Sequence, residues 1–206
     1  MERDRAGRIK FTLTKEQVED AGQAHAEFHH VYGCTMANWA AIERALYYWF
    51  ACITQMDEGM AISVFYSARS FNARADMLLA AIRNAKRQTE VEIQFVKAAL
   101  KKARSYSAFR NMITHGEPIL SIIDREGAPR EIAYHIVEYK NPEARVSVTM
   151  EDLMVAADNY QLLKVAIIDA LPNQGRGTTP EQCLEQVRAL PNQADSRTSP
   201  NPSESE

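Results

Sequence analysis

The sequence predicts a mainly α-helical bundle with a small antiparallel β insertion before its last core helix. Apolar residues recur at spacings of three and four in the first half of the chain, for example Trp39, Ile42 and Leu46, which is typical of a helix with one buried face. Capping-box patterns begin several of these stretches. After Pro118 the pattern changes to short runs rich in β-branched and aromatic residues, which indicates strands.

Length and composition indicate one globular domain. The chain has 206 residues, of which 46% are hydrophobic and 25% charged, as in ordinary soluble domains. Its net charge of -3 argues against a surface coated by nucleic acid, so any nucleic-acid contact has to come from a local basic patch. The longest apolar run, residues 45–53, is far shorter than the roughly 20 residues that span a bilayer, so we expect no membrane association.

Cysteine usage favours a reduced, intracellular protein. The three cysteines, Cys34, Cys52 and Cys183, are odd in number and form no CxxC pair. Residues 1–10 are charged and lack the apolar core of a signal peptide. We therefore expect a cytoplasmic location.

The first part of the chain is predicted to form a lead and two helices. Residues 1–13 are the lead, and the capping box Thr14-Lys15-Glu16-Gln17 begins a helix that Gly33 would end. A second helix is predicted from near Thr35 to just before Gly59.

Two more helices are predicted before the β insertion. One covers residues 60–84 with an irregularity at 70–72, and the other runs from a capping box at Thr89 to His115. Glu43 of the second helix lies beside the buried stripe, where an unpaired charge is costly. We therefore expect an arginine from the third or fourth helix as its partner.

The remainder is predicted to form a β meander, one core helix and a tail. The strands are expected at residues 119–123, 131–139 and 144–148. Thr149 caps the last core helix, which reaches Leu171, so that residues 14–171 form the helical domain. Residues 172–206 are a Pro-rich tail that we expect to be largely disordered, apart from one short helix that Thr179-Pro180 would begin and that ends at about Leu190.

The end of the fourth predicted helix carries the strongest functional pattern. Gly116 and Pro118 stop the helix, and its last turn holds Arg110, Asn111 and His115. The planar donor fork of arginine suits phosphate, and histidine can take or give a proton near neutral pH. Together these side chains could cleave a phosphodiester without a metal.

This stretch resembles the Arg-x4-6-His signature of the HEPN superfamily, in which a polar residue such as asparagine commonly follows the arginine. The resemblance implies a helical bundle and a metal-independent endoribonuclease, with two copies of the motif facing across a dimer cleft. It implies that Arg110 stabilises the phosphoryl oxygens, that His115 moves the proton, and that Asn111 holds the phosphate or orients the histidine. Some members of the superfamily are inactive, so the alternative is a non-catalytic module that binds a partner protein, such as a regulatory protein, or a nucleotide.

The spacing of the motif raises a geometric problem. Five residues of an ideal helix advance about 500°, which leaves Arg110 and His115 about 140° apart and roughly 7.5 Å along the axis. Either the last turn distorts or a second chain completes the site. In a purely structural alternative, His115 caps the last carbonyl groups and Arg110 pairs with a carboxylate such as Glu43.

A basic stretch leads into the motif. Between Arg83 and Arg110 there are eight basic and two acidic residues, a local charge of 8 − 2 = +6, which is the pattern of an RNA-facing surface. The residues predicted to bind RNA are Lys97, Lys101, Lys102, Arg104 and Tyr106. A solvated helix face with aromatic residues in the core remains the alternative.

Two histidine-containing pairs at helical spacing raise the question of a metal site. His25 and His29 are four residues apart, and so are His30 and Cys34. No second pair of ligands occurs elsewhere in the sequence, and no phosphate-binding glycine loop is present. We therefore expect neither a metal nor a cofactor.

Overall fold

The computed structural model describes residues 14–123, 131–141, 144–172 and 177–192. Within this part of the chain, helices dominate and a three-stranded sheet follows the fourth of them, which confirms the predicted mainly α fold class. The helices are α1 (Lys15–Thr54), α2 (Glu58–Ser67), α3 (Phe71–Arg83), α4 (Glu90–His115), α5 (Met150–Asp169) and α6 (Pro180–Ala189). The strands are β1 (Glu117–Ile123), β2 (Glu131–Asn141) and β3 (Ala144–Val148).

The first two predicted helices are one continuous 40-residue helix, α1. The capping box at Thr14 is confirmed, but the predicted break at Gly33 is wrong. A helical glycine costs only about 1 kcal/mol relative to alanine, and the helix buries Phe28 before this point and Trp39 after it. Packing on both sides therefore outweighs the local signal, and α1 ends instead at a left-handed Gln55 with φ 53°.

The third predicted helix is divided where the sequence indicated an irregularity. α2 ends at Ser67, and Ser70 caps α3 by accepting a hydrogen bond from the backbone N–H of Ala73. The next predicted capping box is also confirmed, because the Thr89 and Glu92 side chains each bond to the other's backbone N–H at the start of α4.

The β insertion is an antiparallel meander with the strand order β1-β2-β3, as predicted. Pro118 pairs with Ile136, and Ile136 pairs with Val148 on the other side. Ile136 and Val148 are buried, and β2 contacts both α1 and α4. The sheet is therefore fixed against the helix that carries the motif. The connection between the first two strands, residues 124–130, lies outside the described residues.

The last two helices close the core. Thr149 caps α5 as predicted, and α5 ends at Asp169, just before the expected Leu171. The short helix expected after Thr179 is α6, which buries Cys183, Leu184 and Val187 against α4 and α5. Residues 177–192 thus pack on the helical domain, while the predictions for residues 1–13 and 193–206 fall outside the described part.

Among the described residues, no helix combines the length and the apolar character needed to cross a lipid bilayer.

Gly116 allows the close approach between the end of α4 and the sheet. A Cβ atom at this position would lie 2.2 Å from Cγ2 of Ile136 and 2.9 Å from the carbonyl oxygen of Met112. We expect Gly116→Ala to lower the free energy of unfolding by about 1–3 kcal/mol, because the buried Ile136 has to move.

Gly33→Ala is the matched control for this prediction. Gly33 lies within α1, and a Cβ there would meet nothing within 4 Å. We expect this substitution to raise the free energy of unfolding by about 0.5–1 kcal/mol. Urea unfolding measures both changes, and equal effects of the two substitutions would contradict the close contact.

Candidate functional site

Arg110 lies where four helices meet. Its guanidinium carbon is 6.0 Å from the ring centre of Trp39, which is a cation–π distance. Trp39 of α1 is buried and also packs against Phe71 of α3 at 4.9 Å and Tyr160 of α5 at 5.5 Å. The half-buried Arg110 side chain of α4 therefore has a defined position.

Within the described part of the chain, the charge of Arg110 has no carboxylate partner within ion-pair distance. Its Nη1 donates to Oδ1 of the neighbouring Asn111 at 3.1 Å. Its Nε is buried and finds no acceptor among the described residues, and the same holds for Nε1 of Trp39. Each such donor costs about 1–3 kcal/mol. Nε of Arg74 is unsatisfied in the same way, so the missing carboxylate is what distinguishes Arg110.

Glu43 pairs with a different arginine. Nη2 of Arg74, from α3, donates to Oε1 of Glu43, and the two side chains are only 14% and 17% exposed. Arg74 also donates to the carbonyl oxygen of Ala68 at 3.1 Å. This confirms the predicted arginine partner from the third helix, and the alternative in which Glu43 neutralises Arg110 is wrong.

His115 is the exposed last residue of α4, and the helix is regular up to this point. The N–H of Gly116 donates to the carbonyl oxygen of Met112 at 2.8 Å, and Oγ1 of Thr114 donates to the carbonyl oxygen of Arg110 at 2.7 Å. The last turn is therefore not distorted in a way that would bring Arg110 and His115 onto one face. The two side chains of one chain leave α4 in directions about 140° apart.

The predicted basic surface is only partly open. Lys97 and Lys101 are exposed on α4. Nζ of Lys102, in contrast, donates to the carbonyl oxygen of Leu190 at 2.5 Å and to Oδ1 of Asn192 at 3.0 Å. Arg104 forms an ion pair with Asp76. Two of the four basic residues predicted to bind RNA thus have intramolecular partners.

Tyr106 is a core residue and not the exposed RNA-binding side chain that the sequence predicted. Its side chain is fully buried, its hydroxyl donates to the carbonyl oxygen of Pro191 at 2.9 Å, and burial raises its pKa to about 12. Its ring packs against Tyr160 at 5.3 Å. The spacing of Phe95, Ala99 and Tyr106 on one buried face carried this information in the sequence.

The histidines of α1 form ring contacts. Nδ1 of His25 lies 3.1 Å from the hydroxyl of Tyr134, and its ring centre is 4.2 Å from that of His29. Nε2 of His30 lies 3.8 Å from Sγ of Cys34. In the described ranges, no group of three or more histidine, cysteine or acidic side chains could hold a metal ion.

A cavity that the sequence did not predict lies beside the motif, and we call it the α1–α4 pocket. Its volume is about 140 Å³, and it lies between α1, the end of α4 and the sheet. The buried side chains that line it are Phe28, Ile113 and Ile136, and the more exposed ones are His29, Tyr32 and Pro118. In the sequence, the only indication of this pocket is the pair of aromatic residues four positions apart on the first helix.

Comparison with known protein families, with curated proteins and with solved structures finds no match to this chain.

The Glu43–Arg74 ion pair should contribute to the stability of the fold. We expect Glu43→Ala to lower the free energy of unfolding by about 2–4 kcal/mol, near the cost of removing one partner of a buried ion pair, because Arg74 is left half-buried and uncompensated. Glu19→Ala breaks an exposed ion pair with Lys15 on the same helix, so its cost should stay below about 0.5 kcal/mol.

A double-mutant cycle identifies the partner of Glu43. The cost of Glu43→Ala should shrink in an Arg74→Met background and stay unchanged in an Arg110→Met background. Stronger coupling of Glu43 to Arg110 than to Arg74 would contradict the arrangement described above.

Proposed function

We propose that this protein is a metal-independent endoribonuclease of the HEPN type, with Arg110, Asn111 and His115 at a site that a second copy of the chain completes. The observation that carries this proposal is the half-buried guanidinium of Arg110, which has no carboxylate partner among the described residues. The free thiols of all three cysteines suit the cytoplasm as the place of action.

The surroundings of Arg110 favour an anionic ligand. The guanidinium is held over Trp39 and by Asn111, so little side-chain entropy is lost when it binds. A phosphate oxygen would supply the negative charge that carboxylates supply to Arg74 and Arg104. The charge that develops on the phosphoryl oxygens in the transition state would be stabilised in the same way.

The regular end of α4 favours a site shared by two chains. One helix directs Arg110 and His115 about 140° apart, so one copy cannot place both on the same phosphate from a single face. A twofold axis near the helix ends would bring His115 of each copy towards Arg110 of the other, because both copies present the same surface. We therefore propose a homodimer.

The proposed reaction is an internal transesterification. One histidine takes the proton of the ribose 2′-hydroxyl while the 2′-oxygen forms a bond to phosphorus. The bond from phosphorus to the 5′-oxygen breaks, and the histidine passes the proton that it took to that leaving oxygen. The products carry a 2′,3′-cyclic phosphate and a 5′-hydroxyl, and no metal is required.

The second candidate is a non-catalytic module that binds a protein partner. It is favoured by the outward face of α5, where four apolar side chains are exposed: Met154, Val155, Leu162 and Val165. Contiguous exposed apolar residues often mark protein–protein contacts. This candidate leaves the uncompensated charge of Arg110 without an explanation, so we rank it second.

Removing either motif side chain should abolish cleavage. We expect Arg110→Ala and His115→Ala each to lose RNA cleavage in the presence of EDTA, and the double variant to lose no more, because both side chains serve one transition state. Purified protein incubated with mixed single-stranded RNAs gives the rate, and end-group analysis should detect the cyclic phosphate.

Arg44→Ala and His30→Ala are the matched controls, since both residues are exposed on α1. They should cleave as the parent does. If the motif variants melt normally and still cut RNA at the parental rate, the ribonuclease proposal fails. If neither the parent nor any variant cleaves RNA and the parent binds a protein partner, the second candidate is favoured.

The exposed lysines of α4 should contribute to RNA affinity. We expect Lys97→Glu combined with Lys101→Glu to weaken binding of all RNA sequences, and the slope of log affinity against log salt to fall by about 0.7 for each phosphate that the protein no longer neutralises. Lys15→Glu with Arg44→Glu changes the net charge equally at exposed sites on a different helix, α1, and should have little effect. Equal losses of affinity in the two double variants would show that only net charge matters.

A further inference from the structure

The α1–α4 pocket has the dimensions of one six-membered aromatic ring. Its volume is about 140 Å³, and an apolar protein cavity of about 150 Å³ takes up a benzene molecule. Pockets for whole drug-sized ligands start at about 300 Å³. A ligand would therefore place one ring inside and keep the rest of its atoms outside.

The lining suits a flat ring with polar edges. Phe28 and Tyr32 lie nearly parallel, with an angle of 15° between their planes, and Ile113 and Ile136 supply buried apolar surface. Flat aromatic and apolar surfaces of this kind bind nucleobases by stacking.

Two polar side chains that line the pocket have no side-chain hydrogen-bond partner in the part of the chain that is described. The ring of His29 is held edge-on by Phe28 at 5.4 Å and lies near His25 at 4.2 Å. Among the described residues, neither its nitrogens nor the Tyr32 hydroxyl forms a side-chain hydrogen bond. They are therefore free to bond the carbonyl and N–H groups at a base edge.

The pocket adjoins the motif. Ile113 and Gly116 both line it, and they flank His115 in the chain. Consecutive Cα atoms are about 3.8 Å apart, so a base in the pocket keeps its sugar and phosphate at the end of α4. The neighbouring residue His115 is exposed there.

We propose that the α1–α4 pocket binds one unpaired pyrimidine base of an RNA strand next to the phosphate that is cleaved. The inference rests on the proposed function for its ligand. The volume matches a single six-membered ring, so we expect a pyrimidine to fit the pocket more closely than the two fused rings of a purine. The pocket would thus make the cleavage selective for pyrimidines.

Binding is measured separately from cleavage. Nucleoside 5′-monophosphates are titrated into the full chain, and NMR follows the His29 ring protons and the methyl groups of Ile113 and Ile136. We expect UMP and CMP to shift these signals, AMP and GMP to shift them less, and ribose 5-phosphate, which has no base, to leave them unchanged.

His29→Phe keeps the ring and removes its nitrogens, so it should weaken UMP binding roughly three- to tenfold through the loss of one hydrogen bond. His30→Phe, at the exposed next position, is the control and should bind UMP as the parent does. Tyr32→Ala enlarges the pocket and should admit purine nucleotides; a thermal melt verifies that it folds.

Three results would each overturn the pocket inference. They are equal binding of all four nucleotides, equal shifts with ribose 5-phosphate, and NMR signals of the pocket residues that do not shift with any nucleotide. That failure is distinct from failure of the proposed function. Loss of cleavage in Arg110→Ala with no nucleotide selectivity leaves the ribonuclease standing without this pocket. If UMP binds at His29 but the protein never cleaves RNA, the pocket inference is supported and the ribonuclease proposal is contradicted.

Discussion

The indole of Trp39 contacts side chains from three other helices, and the position of Arg110 depends on it. Phe71 lies 4.9 Å from this ring, Tyr160 lies 5.5 Å from it, and the guanidinium carbon of Arg110 lies 6.0 Å from it. Because α1 is continuous, Trp39 is held in the middle of a long helix that packs along α5. The same packing that closes the core therefore presents a positive charge beside the end of α4.

Among the residues whose burial the structure describes, the partly buried arginines fall into two groups. Arg74 and Arg104 each have a carboxylate partner, Glu43 and Asp76. Arg110 has an aromatic face and an amide, and within the described residues no carboxylate. Since burial of an uncompensated charge is unfavourable, the exception favours a role in binding an external anion. The structural alternative offers no equivalent reason for it.

Short-range sequence patterns predicted the helices and strands well. The errors arose where packing between distant parts of the chain decides the structure. The capping boxes, such as the one at Thr89, act within four residues and are present as predicted. Gly33 does not end a helix, because the residues buried before and after it stabilise one continuous helix. The arginine partner of Glu43 followed from the cost of a buried charge, but its identity depends on how α3 packs. Tyr106 was misassigned because a basic stretch and a buried stripe share α4, and only tertiary contacts show which face is covered.

A mixing experiment tests most directly whether two chains share one site. Arg110→Ala and His115→Ala chains are unfolded together and refolded, and native mass spectrometry verifies that mixed dimers form. If Arg110 of one copy acts with His115 of the other, each mixed dimer has one intact site, and random pairing should restore about a quarter of the parental cleavage rate. A mixture as inactive as either variant alone, with mixed dimers present, would contradict the shared site.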